Sequence, residues 1–270
     1  MVNSFDNFVC LSGMPRTGST LLSSVLSQNP KIHAEGNSGL CEIMWNAYQT
    51  CQTSAREQLV ANNRKDSVFD IVSNIPHSYY INNKPEETIV LDKCRAWTLP
   101  ANIEMLDKFI GKETKIIVMV RPVIEIVSSF MKLLEENKCH TEENERWFMS
   151  PENEPVMKSF TGVMCAKRNF DSGRFLFINY HELINDFSNT LKNVYAFCGW
   201  DSFIHSPRNI KTKYNEGNYM FGTNRIKNQH KVRKYIQKRN YQISLMQETI
   251  DKCKRMDLVL FGEDKLSASC

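Results

Sequence analysis

Phe8-Val9-Cys10-Leu11-Ser12-Gly13-Met14-Pro15-Arg16-Thr17-Gly18-Ser19-Thr20-Leu21-Leu22 begins with an apolar run, turns through two glycines and then becomes amphipathic. The run 8–11 predicts a short buried strand that ends at Ser12-Gly13. Leu21, Leu22, Val25 and Leu26 then recur at helical spacing, and Asn29-Pro30 stops the helix. The turn between them follows the spacing GxxxxGK[ST], with Ser19 where that pattern has lysine. In such a turn the backbone N–H groups and the helix N-terminus bind phosphate oxygens. Pro15 and Gly18 shape the turn, and Arg16, Thr17, Ser19 and Thr20 add charge or hydroxyl donors. The plainer alternative is a glycine-bearing connection that binds nothing.

Working outward, 116–120 is a continuously apolar strand, as expected where helices cover both faces of a sheet. Arg121 follows it at once, and Pro122 suits the first turn of a helix carrying Val123, Ile126, Val127, Phe130 and Leu134. Further strands are predicted at 88–91 and 175–178. Helices are predicted at 39–48, 54–75, from Pro100 to Ile110, at 156–169, 180–184, 187–198 and 241–256. Repeated strand–helix units predict an α/β chain: a P-loop-containing three-layer fold with a mostly parallel central sheet flanked by helices. One domain over 1–270 is expected, with a polar surface or substrate insertion at 137–155.

Composition narrows the function classes. The 270 residues are 41% hydrophobic and 24% charged, which argues against a wholly disordered chain. No apolar run reaches the roughly 18–20 residues of a transmembrane helix. A net charge of +4 is too small to imply nucleic-acid binding. The charge is uneven, however: 208–239 holds ten Lys or Arg and one acid, Glu216. That basic C-terminal segment is either a solvated face or an anion site. Nine scattered cysteines form no CxxC pair, so no zinc framework or other metal site is expected, and reduced thiols point to a cytoplasmic location.

Residues 12–22, SGMPRTGSTLL, resemble the loop that in the sulfotransferase family binds the 5′-phosphosulfate end of PAPS, the activated sulfate donor. Residues 121–129 resemble the family's 3′-phosphate element, in which an arginine and a serine eight positions later contact that phosphate; Arg121 and Ser129 match. The resemblance is closest to the branch containing protein-tyrosine and carbohydrate sulfotransferases. It implies in-line transfer of a sulfuryl group from PAPS to a hydroxyl or amine acceptor, which could be a small molecule, a glycan or a peptide. The product nucleotide would be adenosine 3′,5′-bisphosphate (PAP). No cofactor is then tightly bound and no obligatory Mg²⁺ is implied.

The resemblance also suggests catalytic residues. Lys93, in Leu91-Asp92-Lys93-Cys94-Arg95, matches the lysine of an NKDP-like segment that touches the sulfuryl group, and Arg95 either assists it or serves only a local ion pair. The lysine-threonine-histidine run of many small-molecule relatives is missing here. Tyrosyl-protein relatives instead use a glutamate after the first helix. Glu35 is the nearest carboxylate, although Asn37 takes the ungapped position; His33 and then Glu42 are the next candidate bases. Arg225 and Lys227 are further candidates for donor binding within the basic segment.

Two other classes fit part of the pattern. An atypical P-loop kinase or NTPase would read 88–92 as a strand ending in a Walker B aspartate, Asp92, but leaves the 121–129 element unexplained. A non-catalytic nucleotide-binding module would use the same loops and make Lys93 and Glu35 incidental.

Overall fold

The computed structural model describes residues 7–84, 86–152, 156–212, 219–221, 224–228, 230–237 and 244–262, with backbone alone at 219–221 and 224–225. In chain order the elements are β1 (Phe8–Gly13), α1 (Ser19–Leu26), β2 (Ile32–Asn37), α2 (Leu40–Gln52), α3 (Arg56–Ala61), α4 (Ser67–Ser73), α5 (Ile75–Tyr79) and β3 (Ile89–Lys93). Next come α6 (Pro100–Phe109), β4 (Lys115–Val120), α7 (Val123–Glu136), α8 (Glu142–Met149), α9 (Met157–Arg168) and β5 (Phe175–Asn179). The last are α10 (Tyr180–Asn185), α11 (Phe187–Cys198), β6 (Tyr219–Phe221), β7 (Asn224–Ile226) and α12 (Gln247–Phe261).

Strands β2-β3-β1-β4-β5 form one sheet in that order, and every pairing in it is parallel. Strand alternation divides the core. Phe8 and Cys10 of β1 join Val90, Ile116 and Val118 in a cluster with α2, α4, α6, α7, α9 and α12. Val9 and Leu11 face the other way and join Leu91, Ile117 and Met119 with α1, α10 and α11. The result is the expected α/β three-layer fold with a parallel central sheet flanked by helices. Because β3 and β4 flank β1, the chain diverges to opposite sides at the carboxyl end of β1. That switch point is where ligands bind in open parallel sheets.

Three sequence expectations change. β2 was not expected as a strand: its burial alternates, and its His33, Glu35, Gly36 and Asn37 dilute the apolar pattern of an edge strand. The single helix expected over 54–75 is instead α3 and α4, with α5 beginning at Ile75. Asn63 adopts a left-handed φ of 53°, which interrupts the helical path, and Pro76 opens α5. The last helix starts at Gln247 rather than 241, and 241–243 lie outside the described residues.

Two contacts far apart in sequence stabilise the elements around the switch point. Asp257 of α12 accepts the backbone N–H groups of Val123 at 2.5 Å and Ile124 at 3.5 Å, so it caps α7 from outside. Asp257→Ala is expected to cost about 2 kcal/mol by leaving buried donors without their acceptor. Calorimetry should show a melting point lower by roughly 4–8 °C.

The second contact is a relay. Asn29 Nδ2 donates to the Tyr195 hydroxyl at 3.0 Å, which in turn lies 2.8 Å from His205 Nε2. The hydroxyl can accept from Asn29 and at the same time donate to His205 Nε2 when the imidazole is neutral. Burial pushes the His205 pKa down to about 4. The unfolded chain therefore takes up this proton as pH falls below about 6.5, while the folded chain resists it down to about 4. Stability from this group is complete above the upper value and is lost as pH falls through the window, by on the order of 1–3 kcal/mol. Melting curves of wild type and His205→Gln should converge between pH 7 and pH 4 if this is right.

Candidate active site

Two glycines let the chain turn tightly at the end of β1. Gly13 has φ of 126°, and a Cβ there would overlap the Met119 backbone. Gly18 has φ of 88°, and a Cβ there would sit 2.8 Å from the Tyr180 ring. Between them Arg16 holds a left-handed φ of 59°, unusual for a residue with a side chain. Thr17 is fully buried and donates its hydroxyl to the Met14 carbonyl at 2.6 Å. Thr17 thus closes the turn from within, while Pro15, Arg16, Gly18, Ser19 and Thr20 line the cleft outside it. The cleft has a volume of about 180 Å³.

The flanking strands deliver two cations. Lys93 ends β3; it is 4% exposed, and its Nζ donates to Thr20 Oγ1 at 2.9 Å. Arg121 follows β4 on the other side of β1. It is 2% exposed, and its guanidinium lies 4.2 Å from the Tyr180 ring centroid. Its Nε and Nη2 reach the same Glu125 oxygen at 2.8 and 2.7 Å, and its Nη1 donates to the Arg16 carbonyl at 3.1 Å. The other Glu125 oxygen is 2.8 Å from His181 Nε2. Arg16 Nε in turn donates to Ser129 Oγ at 3.0 Å. One connected chain, His181–Glu125–Arg121–Arg16–Ser129, therefore fixes the left-handed turn and places the Arg16 side chain beside Ser129. Lys93, Arg16, Arg121 and Ser129 all line the same cleft.

Asp92, the residue before Lys93, is buried elsewhere. Its oxygens accept the Tyr80 hydroxyl and the Trp97 indole N–H, both at 2.6 Å. Burial raises its pKa, and bonds from Ser38, Tyr80 and Trp97 oppose that rise. After Lys93, the Cys94 thiol shares a hydrogen bond with Cys41 that lowers the Cys94 pKa and raises that of Cys41.

The candidate bases lie apart from the cleft lining. Glu35 pairs with His33 Nε2 at 3.1 Å, while His33 Nδ1 meets Glu87 at 2.8 Å. The hydrogen bond to His33 lowers the Glu35 pKa. For His33, burial pulls the pKa down, but the bonds to Glu35 and Glu87 outweigh it and the net shift is upward. Glu42 is exposed in the first turn of α2. Asn37, at the end of β2, does line the cleft.

In the basic segment, Lys227 is exposed and bonded through its backbone to the Asn137 side chain, outside the cleft. The Arg225 side chain lies outside the described residues. Lys231 and Arg233 of the same segment line the cleft instead. Sequence reading offered the basic segment as an anion site without singling out these two, noted Asn37 only as the ungapped position, and missed Tyr180. Tyr180 could have been found, because it directly follows a strand at the ligand edge of the sheet. Among the described residues no group of three His, Cys, Asp or Glu is placed to hold a metal ion, and no helix is long and apolar enough to cross a membrane.

Solved structures share this fold. The backbone is similar to mouse sulfotransferase SULT7A1 complexed with PAP, with a TM-score of 0.54 and 14% identity over 97% of this chain and 87% of that one. It is also similar to a sulfotransferase from Alicyclobacillus acidocaldarius, with a TM-score of 0.49 and 16% identity over 74% and 83% of the two chains. The sulfotransferase domain of the Synechococcus PCC 7002 olefin synthase gives a TM-score of 0.47 and 20% identity over 73% and 74%. No curated protein matches the sequence. The model of the sulfotransferase family matches residues 9–204, most of the chain and all of the central sheet but Phe8, so the protein belongs to the sulfotransferase family.

Proposed function

We propose that the protein transfers a sulfuryl group from PAPS to a hydroxyl or amine, with one domain over 1–270 carrying both substrate sites. The observation that carries this is the pairing of two anion-binding groups across β1: Lys93 with Thr20 on the β3 side, and Arg121 with Arg16 and Ser129 on the β4 side. The fit to a nucleotide with phosphates at both ends rests on these groups and on the glycine turn that a Cβ would obstruct. The 13–20 loop and Lys93 would hold the 5′-phosphosulfate, and Arg121, Arg16 and Ser129 the 3′-phosphate. PAP in the mouse relative supports the same donor here.

In the reaction, the acceptor oxygen or nitrogen forms a bond to sulfur. The bond from sulfur to the bridging oxygen breaks, its electron pair stays on the 5′-phosphate, and the acceptor loses one proton. Lys93 is the catalytic residue: its ammonium offsets charge growing on the departing phosphate oxygen. Glu35 is the candidate base, supported by its place two residues before Asn37. It must first release His33, and that ion pair weakens it as a proton acceptor. Glu35→Gln is expected to lower turnover with PAP binding kept; unchanged turnover would send the proton to solvent. The branch with protein-tyrosine and carbohydrate acceptors is favoured by the motifs at 12–22, Lys93 and 121–129.

A metal-dependent kinase or NTPase reading loses its Walker B aspartate, since Tyr80 and Trp97 take both Asp92 oxygens. Calorimetry with PAP, AMP and ATP, each with and without Mg²⁺, tests the donor site. PAP is expected to bind at least about tenfold more tightly than AMP without metal, the value of one charge-assisted contact. ATP preference that requires Mg²⁺, or no preference at all, would overturn the reading.

A further inference from the structure

Arg95 stands two residues after Lys93, at the start of a 3-10 turn over Arg95–Thr98. Its carbonyl accepts the Ser12 hydroxyl at 2.9 Å, which pins this backbone against the end of β1. The side chain is half-buried and lines the cleft with Lys93, Asn37 and Thr20. The other charged groups that the 13–20 turn, β3 and β4 bring to the cleft are engaged within the protein, Lys93 with Thr20, Arg16 with Ser129 and Arg121 with Glu125, while Lys231 and Arg233 across the cleft are exposed to solvent. The Arg95 guanidinium differs, having no hydrogen-bond or ion-pair partner among the described residues. No aspartate or glutamate lines the cleft to neutralise it.

A half-buried cation without a partner is costly, and a planar guanidinium fork matches a carboxylate in two-point contact. The groups suited to the donor's 3′-phosphate follow β4, whereas Arg95 follows β3 on the opposite side of β1. The β3 side is also where Lys93 would meet the transferring group. We infer that Arg95 reads a carboxylate on the acceptor, so the acceptor is an acid: a hydroxy or amino compound bearing a carboxylate near the group that receives the sulfuryl. This inference rests on the transfer reading of the same cleft, and it makes Arg95 a specificity residue for the acceptor.

The test uses the full chain saturated with PAP and three probe pairs: 4-hydroxyphenylacetate, 6-hydroxyhexanoate and glucuronate, each against its methyl ester. In at least one pair the acid is expected to bind about 10- to 100-fold more tightly than its ester, the range for a charge-assisted contact. Arg95→Ala should abolish that preference while PAP affinity stays within about twofold, and Arg95→Lys should restore only part of it, because an ammonium lacks the fork. Because the guanidinium makes no hydrogen bond or ion pair among the described residues, Arg95→Ala is expected to fold, and its melting curve checks this. No acid preference in any pair overturns the inference, as does a preference that survives in Arg95→Ala. A large loss of PAP affinity in Arg95→Ala also overturns it and assigns the side chain to the donor. With PAPS in place of PAP, an equal loss of turnover for acid and ester in Arg95→Ala would assign it to the sulfuryl group instead. Failure of wild type to bind PAP would sink the transfer reading itself, a result distinct from all of these.

Discussion

Lys93→Met is expected to slow sulfuryl transfer by about 10²- to 10³-fold, the usual loss when one preorganised donor to developing negative charge is removed. The size follows from where Lys93 sits. At 4% exposure its ammonium is shielded from water, so its interaction with a growing oxyanion is stronger than a surface lysine could provide. Its bond to Thr20 at 2.9 Å holds the amine beside the helix N-terminus, where N–H groups already favour negative charge. Methionine keeps the length and apolar stem of the side chain, so β3 should stay packed. PAP lacks the sulfuryl group, and its affinity should fall far less than turnover does. Single-turnover transfer from labelled PAPS to the best acid of the panel separates the two. Near-normal transfer by Lys93→Met would remove Lys93 from the chemistry.

The sequence made the strands at the centre of the sheet and their exits readable, and it lost the edges. β1 and β4 are buried on both faces, so their apolar runs are continuous and end abruptly at Gly13 and Arg121. The resemblance of their motifs singled out the 13–20 loop, Lys93, Arg121 and Ser129, and the structure sets each of them at or shortly after the end of a central strand. β2 borders the sheet on one side only, and between its buried residues it carries the half-buried His33 and the exposed Glu35 and Asn37, which look like loop chemistry. Partnerships were harder still. Glu35 meets His33 locally, but His33 is held by Glu87, 54 residues away, a pairing that exists only because β2 lies beside β3. Asp92 resembled a metal ligand in sequence because nothing local announces that Tyr80 and Trp97 will occupy both its oxygens.

The same dependence on tertiary partners sets the expected result for Arg121→Ala: PAP affinity should drop by about 10²- to 10³-fold. That corresponds to the loss of one or two charge-assisted hydrogen bonds in a buried site. Part of the effect is indirect. Arg121 donates to the Arg16 carbonyl at 3.1 Å, and without that bond the left-handed turn has one restraint fewer to hold Arg16 beside Ser129. The substitution also strips Glu125 of its cation, leaving only His181 against a partly buried carboxylate. Lower stability could therefore mimic lost binding, and a second variant separates the two. Arg121→Ala combined with Glu125→Gln removes the uncompensated charge, so its melting point should recover while its PAP affinity stays low. Ser129→Ala leaves the Arg121–Glu125 pair intact; it should weaken PAP by about tenfold and leave AMP nearly unchanged, because AMP has no 3′-phosphate. Equal weakening of PAP and AMP by Ser129→Ala would mean that the Arg16–Ser129 pair faces some other part of the nucleotide. Full recovery of PAP binding in the double variant would reduce Arg121 to a scaffold for the turn.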